Sequence, residues 1–486
     1  MFYYIPFATN NLKQLQNLQT MRFVFDAVHK TIELEDYLWK IIDTEYFQRL
    51  RYLKQVGINC YVYPSANHTR FEHSIGVCHY AGIFIKKLKE KYPLIVTQKD
   101  VVHIQIAALL HDIGHGPFSH LFERAMHYLG HKFDHELQSV AISKKILDVL
   151  KYEVDFEIDF KIIEGLITGD KSYKYLEDRP FLNDIVHNSE SGLDVDKLDY
   201  LQRDAYTSGM AVTFDANRLF NMAVLATNVA LSQNTCDYVL AFPEKEKKHL
   251  FEVFLTRQRL YRMMYTHTVS RSIEMMVIDI FKSADKYYDF KSMVDTNYVR
   301  LTDDILREIG RIQDPRLEEA KRLNLRIDQR KIYKKVMQKI LPERIYISIQ
   351  SELKKDENFM LKYAEDDSLP LNSIIIDLFT IHCGKKKENP IQFINYVNRD
   401  GDLIPKSDFN MEDVSGISPA HYQEYIMRIY CRDEQHYDAV HFAVCSYWEL
   451  QHKSHGTIVD YTPQKKNGNI SSIEYSLSPL KKRQRQ

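Results

Sequence analysis

Residues 101–120 read VVHIQIAALLHDIGHGPFSH. Ile106, Leu109, Leu110 and Ile113 recur at helical spacing, so the pattern predicts a helix over 101–113 with one face packed inward and His111 and Asp112 near its end. Gly114, Gly116 and Pro117 then stop it, and His115 and His120 follow in the turn, close enough to handle protons or phosphate oxygens. Taken alone, a His-Asp pair equally suits a capping carboxylate beside a hydrogen-bonded histidine. With His73 upstream and Asp196 downstream, two imidazoles and two carboxylates can hold one divalent ion with positions left open. That donor set belongs to a catalytic rather than a closed structural site, and it suits Fe, Mn, Zn or Mg in different degrees.

Outward from this stretch, two further segments bring polar groups at helical spacing. Asp196, Tyr200, Arg203 and Asp204 share a face bordered by Lys197, offering a carboxylate for a metal, a cation, a phenol and a second carboxylate. A solvated face laced with ion pairs is the alternative. Arg257, Tyr261 and Tyr265 follow in steps of four along one stripe, where tyrosines also serve as core.

The 486 residues can bury a large core, and length alone allows two or three domains. Lys and Arg total 65 against 66 Asp and Glu, a formal net charge of −1, which argues against a globally basic nucleic-acid binder and leaves room for local basic patches. No apolar run is long enough to span a bilayer, and no secretory leader is expected. The six cysteines, Cys60, Cys78, Cys236, Cys383, Cys431 and Cys445, make no paired-spacing motif and read as reduced thiols of a nuclear or cytoplasmic protein.

The expected organisation is mainly α. Residues 1–20, rich in Asn and Gln, read as a flexible leader, and 21–340 as a helical core with long helices over 101–113, 196–206 and 251–280. Residues 341–454 read as a smaller C-terminal α+β lobe. Its strands are expected at Ile345, Ile347 and Ile349, over 374–381 and over 426–431, with a hairpin turn at KKKENP, 385–390. Residues 455–486, rich in Ser, Asn, Gln and Lys, read as a flexible regulatory tail.

Taken in order, IIDT (41–44), FQRLRY (47–52), RFEHS (70–74), HDIGHGPFSH (111–120) and DVDKLDY (194–200), continued by Arg257, Tyr265, Pro390 and TPQKK (462–466), resemble the HD-domain phosphohydrolases. Within them the likeness is to the animal deoxynucleoside triphosphate (dNTP) triphosphohydrolases that also carry a SAM domain. It spans nearly the whole chain and begins near Met21, so no counterpart of the SAM domain is expected. The resemblance implies a helical, metal-dependent core that hydrolyses a dNTP at the α-phosphorus to deoxynucleoside and inorganic tripolyphosphate, controlling dNTP pools.

It further implies that His73, His111, Asp112 and Asp196 hold the metal, which polarises the α-phosphate and lowers the pKa of a water towards about 7. Additional Mg would accompany the nucleotide phosphates. The leaving alkoxide needs a proton. His120 is the first candidate acid and His115 the second, since an unperturbed imidazole titrates near about 6.5. His135 and Glu136 would orient or relay that proton, with Glu123 beside them in place of the family's aspartate. Arg70, Lys197, Tyr200 and Arg257 would neutralise the polyphosphate. Gln55 and Asp204 would bond the 3′-hydroxyl, while Val56, in place of leucine, and Tyr265 would leave no room for a 2′-hydroxyl. Tyr261 stands where the animal relatives have histidine.

By the same resemblance the protein is a homodimer or homotetramer with GTP or dGTP as allosteric ligand. Asp43, Gln48 and Arg51 would read the guanine edge, with Arg428, Arg432 and Arg22, the last replacing lysine, at the phosphates. A second nucleotide site is expected to be eroded, because Phe25, Pro243, Met263 and Thr268 replace polar or cationic residues. Thr462 and Ser478, each followed by proline and two residues on by lysine, suit a cyclin-dependent kinase and are equally explained as chance pairs in a polar tail. No membrane partner is expected. Two rival readings are another HD nucleotide phosphohydrolase and a single-stranded nucleic-acid-binding scaffold with a relict metal site.

Overall fold

Two antiparallel-threaded helices, α1 (Arg70–Lys91) and α2 (Gln98–Leu110), form the centre of the larger unit and set the position of the His-Asp pair. The computed structural model describes residues 21–154, 156–227, 238–365, 369–415 and 419–452. The expected leader over 1–20 and tail over 455–486, with Thr462 and Ser478, lie outside the described residues, as does Cys236.

Helix α2 departs from the one-sided burial expected of it. Every residue from Asp100 to Leu110 is buried, polar ones included, so this helix is enclosed on all sides rather than laid on a core. Its three buried polar residues are satisfied: Asp100 accepts from the Thr97 amide and the Tyr175 hydroxyl, His103 donates from Nδ1 to the Lys99 carbonyl and accepts the Asp159 amide at Nε2, and Gln105 accepts from the Tyr37 hydroxyl. Each fully buried Ile or Leu of α2 contributes roughly 1.5–3 kcal/mol relative to exposure. The start is fixed by Thr97, which accepts the Asp100 amide at 3.2 Å. The helix ends at Leu110, one residue before the His-Asp pair, with His111 as its C-cap.

Gly114 and Gly116 serve close packing more than helix termination. A Cβ on Gly114 would stand 2.2 Å from the Ser139 amide, and one on Gly116 2.1 Å from the Phe122 ring. The bare backbone therefore lets the turn touch α3 (His120–Tyr128) and α4 (His135–Leu150). Helix α5 (Val195–Ser208) is capped by Asp194, which accepts the Lys197 amide at 2.9 Å, and ends on Gly209 at φ 74°. The expected helix over 251–280 is two helices, α6 (Lys247–Leu260) and α7 (Thr268–Tyr288), joined by a π-helical turn at Tyr261–Tyr265. Such single turns recur at functional sites.

The region read as helical also contains strands. β1 (Met21–Asp26) and β2 (Lys30–Glu35) form an antiparallel hairpin in which Ile32 and Leu34 alternate inward. A four-stranded sheet has the order β3 (Val224–Thr227), β4 (Tyr238–Pro243), β7 (Asn395–Val397), β8 (Leu403–Ile404).

The chain divides into two compact units, one comprising residues up to Ile332 together with Ile381–Gln423, the other Tyr333–Thr380 and the described residues from Glu424. The second unit thus starts at Tyr333 rather than 341, and 381–423 belongs to the first. The second unit carries a three-stranded sheet in the order β5 (Lys334–Leu341), β9 (Gln423–Cys431), β6 (Ile374–His382). The strand expected at Ile345, Ile347 and Ile349 is instead a helix, Glu343–Lys355. Ile345, Tyr346 and Ile349 are buried while Ile347 is exposed, so the inward set has helical spacing and the isoleucine alternation is incidental. The strand precedes it, where Val336, Met337 and Leu341 join Met427, Ile429, Val440 and Val444 in the core of this unit. The expected hairpin at 385–390 is reduced to a single bridge, Lys385 to Glu388.

Candidate active site

His73 on α1, His111 and Asp112 at the end of α2, and Asp196 in the first turn of α5 present ligand atoms that all lie within 4.8 Å of one another. His73 Nε2 is 3.0 Å from Asp196 Oδ1 and 3.3 Å from Asp112 Oδ2; His111 Nε2 is 3.4 Å from each of those oxygens. The outward nitrogens decide the tautomers. His73 Nδ1 donates to Asp199 at 2.8 Å and His111 Nδ1 to the Ala108 carbonyl at 2.8 Å, which leaves each Nε2 as the ring atom facing the carboxylates. Both Nε2 atoms are buried and make no hydrogen bond. Buried orphan nitrogens are costly, and a divalent cation satisfies them while neutralising the two carboxylates. The donor set therefore fits a metal, and the Asp199–His73 pair is the outer support such ligands use.

Electrostatics agree with a site built around a cation. Burial opposes charge on His111, but Asp112 and Asp196 outweigh it and push the imidazole up to about 10, so the two carboxylates favour positive charge here, which a bound cation would supply in place of the proton. Burial likewise works against the charges of Asp112 and Asp196, yet Arg70 and His111 hold the first, and His111 and His73 the second, below the usual carboxylate range. Arg70 bonds Asp112 through Nη1 and donates from Nε to Ser119 Oγ at 2.7 Å. Ser119 and its neighbour Phe118 adopt φ of 62° and 60°, unusual for side-chain-bearing residues. Ser119 Oγ donates to the Lys54 carbonyl and the Phe118 amide to Asp303, so the surroundings hold this strained corner in place. Burial outweighs its backbone donors and lifts Asp303 to about 6.

Beside the metal cluster stands a second group. His115, His120 and His135 bring ring nitrogens within 4.8 Å of one another, with ring centres 4.0 Å apart for His115 and His135 and 4.9 Å for His115 and His120. His135 Nδ1 lies 2.9 Å from Glu123, which burial would raise but His120 and His135 bring down to about 2. His115 is buried, 3.3 Å from Asp112, and burial with the nearby Arg70 keeps it neutral. His120 is 71% exposed in its side chain and faces the open side. Glu136 lies in the first turn of α4 and makes no ion pair or hydrogen bond to this group.

A third set of polar side chains clusters around Asp204 and Arg257. Asp204 accepts from Tyr265 at 2.5 Å and pairs with His68 Nε2 at 2.7 Å. Arg257 stacks on the Tyr261 ring at 4.2 Å, donates to the His382 carbonyl at 2.7 Å, and adjoins Tyr200. Burial, then Asp204, raises the Tyr265 phenol well above its ordinary value, so it is a hydrogen-bond donor at neutral pH. Gln55 Oε1 is buried without a partner and Val56 is buried next to it. Lys197 reaches the Gly192 carbonyl and is 3.8 Å from Asp194. Arg203 does not join this face: it is buried against Asp199 and Asp26.

The HD domain model matches residues 70–204, a span that brackets all four candidate ligands. The chain is 34% identical to the deoxynucleoside triphosphate triphosphohydrolase SAMHD1 homolog of Dictyostelium discoideum over 87% of its own length and 80% of that protein. It is similarly related to deoxynucleoside triphosphate triphosphohydrolase SAMHD1 of Gallus gallus (34%; 87% and 74% of the two chains) and of Homo sapiens (32%; 94% and 79%). The chain belongs to the SAMHD1 family of HD-domain proteins. The family assignment agrees with the helical core and the His/Asp cluster described above. Among the described residues no helix is long and apolar enough to cross a membrane.

Residues expected to serve an allosteric nucleotide are distributed over both units. Arg22 lies 3.3 Å from Asp43, and Arg51 donates to Gln48 at 2.8 Å while stacking on Phe71. Arg428 and Arg432 belong to the second unit, where Arg428 donates to Gln338 and Arg432 to the Asn372 carbonyl and Tyr333. Sequence reading missed His68, Asp199, Ser119, Asp303 and His382. Asp199 and Ser119 lie inside the quoted DVDKLDY and HDIGHGPFSH, and His68 is five residues before His73.

Proposed function

We propose that this protein hydrolyses deoxynucleoside triphosphates to deoxynucleoside and inorganic tripolyphosphate at the His73, His111, Asp112 and Asp196 centre. The observation that carries it is the pair of buried, unbonded Nε2 atoms facing two carboxylates, in a chain whose relatives are named for this activity. His73, His111, Asp112 and Asp196 would hold a divalent ion, which would supply Lewis acidity towards a phosphoryl oxygen and a water.

The protein's own groups do the remaining work. Arg257, Lys197 and Tyr200 bind and neutralise the polyphosphate, and Arg70 balances Asp112. Water attacks the α-phosphorus, the bond to the 5′ oxygen breaks, His120 delivers a proton to that oxygen, and the proton given up by the water restores His120 for the next turnover. The Glu123–His135 pair holds the neighbouring imidazole in position for this transfer. Asp204 retains lone pairs for a 3′-hydroxyl after accepting from Tyr265 and His68, and Gln55 Oε1 offers another acceptor. Chromatography of products from dATP or dGTP tests the reading: deoxynucleoside plus tripolyphosphate supports it, and stepwise release of orthophosphate or of monophosphate with pyrophosphate refutes it.

In the sugar pocket, Tyr265→Ala opens space at C2′. Its kcat/KM for ATP relative to dATP is expected to rise at least about tenfold. An unchanged ratio places the gate on other residues.

We also propose guanine-nucleotide activation read by Asp43, Gln48 and Arg51. Asp43→Ala is expected to raise the GTP concentration giving half-maximal stimulation about tenfold or more, the loss of a bonded edge contact, while the rate without GTP stays within about twofold. A wild-type enzyme indifferent to GTP in a turnover titration removes this part of the account. Assembly into a homodimer or homotetramer, and a nuclear or cytoplasmic setting, belong to the same reading.

A further inference from the structure

His73 owes its orientation to Asp199, and Asp199 is held from an unexpected direction. The β1–β2 turn folds Asp26 into contact with the amides of Val28 and His29, at 2.9 and 2.8 Å, and Lys30 closes it at φ 67°. This small turn delivers the His29 ring into the interior, where only 3% of its side chain is exposed. There His29 Nε2 lies 2.5 Å from Asp199 Oδ1, a link across 170 positions of sequence, while Asp199 Oδ2 is 2.8 Å from His73 Nδ1. Arg203 donates from Nε and Nη2 to the same carboxylate and from Nη1 to Asp26 at 2.7 Å.

The neighbours of this network are arranged around it. Tyr80 meets the His29 ring edge-on with centres 4.3 Å apart and is itself tethered to Gln202. On α1, one turn beyond His73, a Cβ on Gly76 would stand 2.1 Å from Asp199 Oδ1 and 2.4 Å from Arg203 Nη2. The helix gives up a side chain there so that the carboxylate and guanidinium can reach the underside of the metal site. A wholly buried carboxylate with several donors is fixed in direction, and fixing the partner of a ligating imidazole fixes the ligand.

We infer that the β1–β2 turn is a working part of the metal centre: His29, seated by Asp26, is a positioning residue that holds Asp199 where Asp199 orients His73 for the metal. The inference rests on the metal reading of the previous section and adds a residue that lies outside the four ligands and outside the segment matched by the HD model. A merely structural His29 would anchor the hairpin, and its loss would lower stability without changing how tightly the folded protein holds a cation. A positioning His29 changes that affinity.

The test uses the full chain, stripped with chelator and titrated with Mn²⁺, the free ion being read by electron paramagnetic resonance and the folded fraction by circular dichroism. His29→Ala is expected to weaken Mn²⁺ binding by the folded protein about tenfold to a hundredfold, the usual effect of removing an outer support. His29→Gln, which keeps a donor at similar reach, is expected to stay within about threefold of wild type. Should His29→Ala not fold, His29→Asn, whose amide falls short of Asp199, is held to the same criterion. Wild-type affinity in the folded His29→Ala or His29→Asn protein overturns the inference and leaves the metal reading standing. Wild type binding Mn²⁺ no better than His111→Ala overturns both.

Discussion

Asp196→Ala is expected to lower dNTP turnover by about a thousandfold or more, equivalent to ~4 kcal/mol of transition-state stabilisation, together with loss of the divalent ion. The residue supplies an oxygen 3.0 and 3.4 Å from the two imidazole nitrogens, and the other carboxylate of the set, Asp112, already shares its charge with Arg70. Without Asp196 the centre keeps two neutral donors and one compensated acid, too little charge to retain the cation. The fold itself should tolerate the change, because the α5 start is capped by Asp194 and not by Asp196. His111→Ala should behave alike. Metal content per chain and kcat, measured on the same preparations, check the expectation; full activity with undiminished metal in either variant contradicts the ligand assignment.

Why this His/Asp cluster could be read from sequence, and much around it could not, follows from the range of the interactions. His111 and Asp112 are adjacent, and Asp196 opens a helix with a recognisable cap, so local pattern carries them. His29 reaches Asp199 across the hairpin, and Arg49 donates to the Leu301 carbonyl from 252 positions away. No periodicity encodes such pairs. Arg203 stands four residues after Asp199, and its side chain takes that buried carboxylate together with the distant Asp26, so it is drawn away from the face shared by Asp196, Tyr200 and Asp204. Ile345, Ile347 and Ile349 mislead because period-two and helical patterns coincide over short apolar runs, and Pro342 immediately before Glu343 was the better guide. The β1–β2 hairpin was overlooked for a similar reason, its two strands being only six residues each.

His120→Ala is expected to reduce kcat about a hundredfold to ten-thousandfold with metal content preserved, the range for removing a general acid. The exposed ring makes no buried packing contact whose loss would unfold the protein, so the melting temperature should barely move. Its position is what matters: one edge faces His115 and Nδ1 lies 3.9 Å from Glu123, leaving the other nitrogen for an incoming substrate oxygen. His115, by contrast, is buried against Asp112, and its replacement should disturb the metal ligands as well as proton transfer. Parallel measurement of kcat and metal content for the two variants separates these roles. If His120→Ala turns over at the wild-type rate while His115→Ala fails with its metal in place, the proton comes from His115.

The central claim is that water attacks the α-phosphorus and expels the nucleoside through its 5′ oxygen. Hydrolysis of dGTP in ¹⁸O-enriched water, with both products analysed by mass spectrometry, tests it most directly. The account predicts one ¹⁸O atom in tripolyphosphate and none in deoxyguanosine; label in the nucleoside, or label in a nucleoside monophosphate or pyrophosphate, would contradict it.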